Sequence, residues 1–284
     1  MKWTIPAKTF LLGEYVAVAG GPALIATTTP CFTLAETDEP GLHGIHPQSP
    51  AGRWWADHGI NQLGLQWHDP YQGRGGMGAS SAQFLAVYLA GIHLKNQSFN
   101  QQVLLGDYLQ YAWQGQGVPP SGYDVLAQSM HGCVYINREQ ALCQPQAWPF
   151  PDLAFILVHT GKKLATHEHL QSMTPPASIN SLATIVDAAK RAMHVADSQQ
   201  FVTAVNAYQQ ALIHLNLMAS HSQEYVELLL KQQNHLLAAK GCGAMGADVL
   251  LLLLPKDKLS LASNKLAANS WHILATSDYL YGEQ

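Results

Sequence analysis

Gly75-Gly76-Met77-Gly78-Ala79-Ser80-Ser81-Ala82 stands directly ahead of an apolar, small-residue run that predicts a helix from Ser80 to Leu94. Glycines let the backbone turn tightly and approach a ligand closely. The first N–H groups of a helix have no intrahelical partner, and the helix dipole favours an anion there. A phosphate is the usual guest of such an end. Ser80 and Ser81 add hydroxyls for phosphate oxygens or a magnesium ion. No lysine follows the glycines, so this is not the G-x-x-x-x-G-K-[ST] loop, and the spacing does not fit G-x-G-x-x-G. Taken by itself the stretch is equally an N-capped helix after a flexible loop.

Upstream, Phe10 to Leu12, Tyr15 to Val18, Ala23 to Thr29 and Cys31 to Ala35 read as strands, with turn chemistry at Ala19-Gly20-Gly21-Pro22. Glu36 to Gln72 is rich in Gly, Pro, His and Trp and predicts loops and short strands. Downstream, helices are predicted over Leu104–Gln114 and Asp124–Met130, and a strand over Cys133–Asn137. Trp148-Pro149-Phe150-Pro151 discourages regular structure and marks a domain boundary, giving domains 1–149 and 150–284. Beyond it come a strand (Leu153–His159), three helices (Ile179–Val195, Gln200–Ser220, Gln223–Lys240), a strand (Asp248–Leu254), a short helix (Lys256–Ala268) and a last strand (Trp271–Thr276). The pattern predicts two α+β layers, one per half.

Composition narrows the function. Of 284 residues, 48% are hydrophobic and 12% charged, which excludes a disordered chain. Lys plus Arg number 15 against 19 acids, a formal charge of −4, which disfavours a nucleic-acid partner. A basic residue inside a motif is therefore informative. The four cysteines form no C-x-x-C pair, and reduced thiols are expected. No signal-peptide core opens the chain, and the apolar run Ala247–Leu254 is too short to span a bilayer. A soluble cytoplasmic protein without a membrane partner is expected.

Three further stretches stand out. Pro119-Pro120-Ser121-Gly122-Tyr123-Asp124 precedes a predicted helix, where Asp124 is either an N-cap or a general base toward a substrate hydroxyl. Pro6-Ala7-Lys8-Thr9-Phe10 places a lysine in an apolar strand; if buried, it needs an anion such as Asp124 or a ligand phosphate. Gly241-Cys242-Gly243-Ala244-Met245-Gly246-Ala247-Asp248 suggests a close backbone approach, or simply a helix C-cap at Lys240-Gly241.

In this order the stretches resemble the three motifs of the GHMP kinases, the family of galactokinase, homoserine kinase, mevalonate kinase and phosphomevalonate kinase. P-A-K-T-F-L-L-G-E-Y resembles the first motif, G-M-G-A-S-S-A the phosphate loop, and G-C-G-A-M-G-A-D the third. Gly13-Glu14-Tyr15, Gln116-Gly117 with Ser121-Gly122-Tyr123-Asp124-Val125, Thr160-Gly161-Lys162 with Thr166, and Lys240 with Asp248 are most similar to the phosphomevalonate branch.

The resemblance implies a two-domain fold, with a ribosomal-protein-S5-domain-2-like N-terminal domain and a ferredoxin-like α+β C-terminal domain. It implies ATP and Mg2+ as cofactors, a small-molecule substrate, and a monomer or homodimer. Gly75, Gly76, Met77, Gly78, Ala79, Ser80 and Ser81 would wrap the ATP phosphates, with Ser80 or Ser81 near the metal. Asp124 would accept or orient the proton of the attacking group, and Lys8 would sit beside it and the transferred phosphoryl. Glu14, Tyr15, Ser121, Gly122, Lys162, Lys240, Gly243 and Ala244 would line the acceptor side.

The chain departs from the family pattern in lacking the leading proline of the second motif, in having Ala79 where serine is common, and in having no acid from Tyr108 to Gln116. It is also short for a phosphomevalonate kinase. The rival readings are a non-catalytic ligand sensor, a diphosphomevalonate decarboxylase, a histidine metal site at His43 and His46 or at His167 and His169 around Glu168, and adenine stacking on Trp54-Trp55. The first is disfavoured by the presence of Lys8, Asp124 and the glycine loop. The second is disfavoured by Thr160-Gly161-Lys162.

Overall fold

The computed structural model describes residues 1–59, 63–162 and 179–282. Thr166, His167, Glu168 and His169 lie outside them. Two sheets organise the chain. The first is built on β2 (Ala23–Thr37), which β1 (Lys2–Leu12) follows antiparallel along its length. The other edge of β2 carries β5 (Cys133–Asn137) and β4 (Gly64–His68), extended by β6 (Leu142–Gln146) and β3 (Gly41–His43). The second sheet has the order β10 (His272–Thr276), β7 (Leu153–His159), β9 (Val249–Pro255), β8 (Ala238–Cys242), all antiparallel.

The helices among the described residues are α1 (Pro50–His58), α2 (Ala79–Leu94), α3 (Gln101–Ala112), α4 (Tyr123–Gln128), α5 (Ile179–His194), α6 (Ser198–His214), α7 (Ser220–Gln232) and α8 (Leu259–Ala268). The leucines of β9 are buried on both faces, as a strand covered on each side requires. One core runs through both halves, joining Leu11, Leu24 and Phe84 to Leu182, Phe201 and Leu251.

The sheets divide between β6 and β7, on either side of the Trp148–Pro151 stretch. The tail nevertheless returns to the first half: Tyr281 exchanges backbone hydrogen bonds with Thr27 (2.9 Å) and Gly132 (2.7 Å).

Four local expectations are corrected. Val16–Ala19 is a 3-10 turn, not a strand, because Gly13, at φ +104°, turns the chain so tightly that a Cβ there would fall 2.5 Å from Ala23 Cα. The two predicted strands around Pro30 are one strand, β2. Helix α1 occupies a predicted loop region; its cap, Ser49 accepting from the Gly52 amide at 3.1 Å with Pro50 following, is the readable signal. The predicted helix through Lys240 ends at Gln232, and residues 238–242 form β8 on the edge of β9. A short apolar run does not separate helix from strand by period alone.

Candidate active site

Helices α2 and α4 start alike. Each has a glycine in the left-handed region at its N-cap, Gly78 (φ +80°) and Gly122 (φ +75°), and neither has a side-chain cap. Asp124 is therefore not the N-cap of α4, and both cap positions are taken by glycine. Asp124 lies in the first turn of α4, and its carboxylate faces outward to Lys8, with Nζ to Oδ1 at 2.9 Å. Lys8 comes from the buried half of β1; its side chain is 9% exposed against 33% for Asp124.

The glycine loop meets the same lysine. The Lys8 amide donates to the Met77 carbonyl at 3.0 Å. A Cβ on Gly78 would fall 2.8 Å from Lys8 Cε. Gln128 Nε2 donates to the carbonyls of Pro6 (2.8 Å) and Gly78 (3.1 Å), tying α4, β1 and the loop together. The structure therefore brings the glycine loop, Lys8 and Asp124 into one place. Tyr108 lies behind Asp124, and burial, followed by that carboxylate, pushes its phenol far above the usual value.

The two serines separate. Ser81 is buried and its hydroxyl donates to the Gly78 carbonyl at 3.0 Å, whereas Ser80 is exposed. The Ser81 hydroxyl is thus engaged within the first turn of α2, and that of Ser80 faces solvent. No group of three or more His, Cys, Asp or Glu able to hold a metal occurs among the described residues. Trp54 and Trp55 are both buried, and the Trp54 indole donates to Asp107 at 3.0 Å, so neither offers a face to adenine.

The second half reaches the loop through the start of β9. A Cβ on Gly76 would meet Val249 Cγ2 at 2.4 Å and Asp248 Cβ at 3.0 Å. Beside them, Thr160 donates from its amide to Asp248 (2.9 Å) and from its hydroxyl to Ala247 (2.5 Å). Lys162, two residues on, is exposed and pairs with no acid among the described residues. His159 receives the Gly161 amide on Nδ1 at 3.0 Å. Burial, with Arg74 and His272 opposing Asp248, holds its pKa below the ordinary value.

Arg74, which acts electrostatically on His159, is not among the residues singled out in the sequence. It precedes the glycine loop, has only long contacts to the Tyr71 carbonyl (3.3 Å) and the Gln72 side chain (3.5 Å), and pairs with no carboxylate among the described residues. In a chain with few basic residues, an arginine one position before Gly75 was the available signal.

Other predicted acceptor residues lie elsewhere. Lys240 is fully buried, bonded to Glu14 and to the Gly241 carbonyl (2.8 Å). Tyr15 is buried; its hydroxyl donates to the Leu217 carbonyl (3.1 Å) and accepts from the Met245 amide (2.9 Å). In this structure the three form internal cross-links: Lys240 pairs with Glu14 Oε1 and Tyr15 bonds to backbone, while Glu14 Oε2 is buried without a hydrogen-bond partner. The Ser121 carbonyl accepts from Arg138 at 2.9 Å, and its hydroxyl from the Tyr123 amide at 3.2 Å. Gly243, at φ +80°, and Ala244 form the turn after β8.

The fold is that of the GHMP kinases. The Methanococcus jannaschii mevalonate kinase superposes with a TM-score of 0.74 over 97% of both chains at 15% identity. The Streptococcus pneumoniae phosphomevalonate kinase gives 0.75 at 16% identity, covering 97% of this chain and 98% of that one. The Lactococcus lactis galactokinase gives 0.74 at 13% identity, covering 99% and 92%. No family model matches the sequence, and no curated protein is similar to it. No helix among the described residues is long and apolar enough to cross a membrane.

Proposed function

We propose that the protein is an ATP- and magnesium-dependent small-molecule kinase that phosphorylates phosphomevalonate to mevalonate diphosphate. The observation that carries the reading is the 2.9 Å Lys8–Asp124 pair set against Gly78 at the uncapped start of α2. Backbone amides of Gly76 to Ser80 take the nucleotide phosphates. The ammonium of Lys8 holds the Asp124 carboxylate in place, so that it can orient or accept the acceptor's proton. The same ammonium neutralises charge that develops on the transferred group. Such a reaction asks mainly for alignment and charge neutralisation. Magnesium, bound with the nucleotide, would be met by Ser80 and would neutralise phosphate charge.

The choice of a phosphorylated acceptor is supported by the cations on the segments that build the site. In a chain with a formal charge of −4, Lys8 lies against the glycine loop, Arg74 directly precedes it and Lys162 follows β7, and the last two have no carboxylate partner among the described residues. A triphosphate facing a second phosphate needs that surplus, whereas a neutral sugar does not. The solved Streptococcus pneumoniae phosphomevalonate kinase complex, with phosphomevalonate and AMPPNP, has the same fold. Residues 1–149 would act as the nucleotide half and 150–284 as the acceptor half of a cytoplasmic enzyme. An ADP-release screen against phosphomevalonate, mevalonate, homoserine and galactose tests the reading. Preference for phosphomevalonate is expected, and equal or greater turnover of any of the others overturns the assignment.

A further inference from the structure

We propose that Glu14 and Tyr15 are positioning residues that clamp the segment 240–246, and through it the glycine loop, in its working place. Adjacent in sequence, they reach two different parts of the second half. Glu14 binds the ammonium of Lys240 in mid-β8, and that ammonium also holds the Gly241 carbonyl at 2.8 Å. Tyr15 receives the Met245 amide at 2.9 Å and donates to Leu217 at 3.1 Å. Met245 has φ +54°, a conformation non-glycine residues seldom adopt. Its amide is held by Tyr15 and its carbonyl by the Ala219 amide at 2.8 Å.

The clamped segment leads straight to the site. Gly241 and Gly246 touch backbone to backbone: a Cβ on Gly241 would lie 2.8 Å from Gly246 Cα. Ala247 and Asp248 then hold Thr160, and Asp248 and Val249 support Gly76. The contacts run unbroken from Tyr15 to the loop proposed to hold nucleotide phosphates. Neither Glu14 nor Tyr15 needs to touch a ligand to matter. Lys240 also rests over the Tyr208 ring, 5.6 Å from its centroid, so the pair is enclosed on that side as well.

What the segment serves rests on the kinase reading; the clamp itself does not. In Tyr15→Phe the ring stays and both hydrogen bonds go. The Met245 amide is expected to exchange with deuterium about tenfold faster than in the wild type. AMPPNP binding, followed by calorimetry, is expected to weaken about three- to tenfold. Unchanged exchange, or faster exchange with unchanged AMPPNP affinity, overturns the proposal.

A double variant, Glu14→Gln with Lys240→Met, removes both charges of the buried pair. It is expected to regain the thermal stability lost in Lys240→Met alone while keeping the weakened AMPPNP binding. Recovery of both would make the pair purely structural and overturn its part. If the double variant does not fold, Tyr15→Phe decides. A wild-type protein that binds no AMPPNP defeats the kinase reading, and exchange at Met245 then remains the test of the clamp.

Discussion

Two lysine–carboxylate pairs lie near each other where the halves meet. Lys8–Asp124 is partly open to solvent, with a third of the Asp124 side chain exposed; Lys240–Glu14 is closed, at 0% and 5%. The open pair can exchange part of its interaction for a ligand, because solvent already shares the carboxylate. In the closed pair both charges have left water, and burial opposes the Lys240 charge while Cys242 and Glu14 hold its pKa above the ordinary lysine value. A buried pair adds little net stability, but removing one partner leaves the other uncompensated. The contrast separates the group proposed to react from one that fastens.

The largest expected effect falls on the open pair. Asp124→Asn should lower kcat by about a thousandfold, within the range of general acid–base contributions, with AMPPNP affinity retained. Steady-state ADP release together with calorimetry checks this; an active variant would remove Asp124 from the mechanism. The closed pair should respond in stability. Lys240→Met should destabilise the fold by about 3–5 kcal/mol by leaving Glu14 buried and unpaired, read by denaturant unfolding. A smaller loss there, or a larger one in Asp124→Asn, would erase the distinction between the pairs.

At the rim the effects shrink. Lys162→Ala should raise the acceptor KM about tenfold and leave kcat and nucleotide affinity nearly unchanged, as loss of one charged hydrogen bond predicts. Unchanged acceptor saturation removes Lys162 from the acceptor side. The smallest effect is a pH dependence. His159 has a folded pKa held below its ordinary 6.5, chiefly by burial, with Arg74 and His272 adding to it and Asp248 opposing. The unfolded chain therefore binds the proton first. The stabilising difference is present above about pH 6.5 and declines as pH falls through the window below it. His272 and His235 are shifted in the same direction and share the slope. Thermal melts between about pH 7.5 and 5.5 should show a shallower decline in His159→Gln than in the wild type.

Much of the fold was legible because its signals are local. The all-leucine strand β9, the apolar helix after Gly78 and the proline-rich Trp148–Pro151 stretch each declare themselves within a few residues. The misreadings have physical reasons too. Residues 236–242 are apolar and short, and only pairing with β9 makes 238–242 a strand. Val16–Ala19 favours a strand until Gly13 turns it. At the site, the glycine loop, Lys8 and Asp124 were readable from residue type and order. Arg74 was passed over because an arginine in a loop is ordinarily a solvated surface group.

The sequence by itself determined the chemistry on offer: glycines ahead of a helix, scarce cations within the motifs, and a carboxylate at the start of another helix. Tertiary structure alone decided which groups face a ligand and which face one another. Lys8 and Lys240 are alike as side chains in apolar strands, and both find carboxylates. They differ in whether water reaches the partner, and that depends on how two sheets pack across more than two hundred residues of chain.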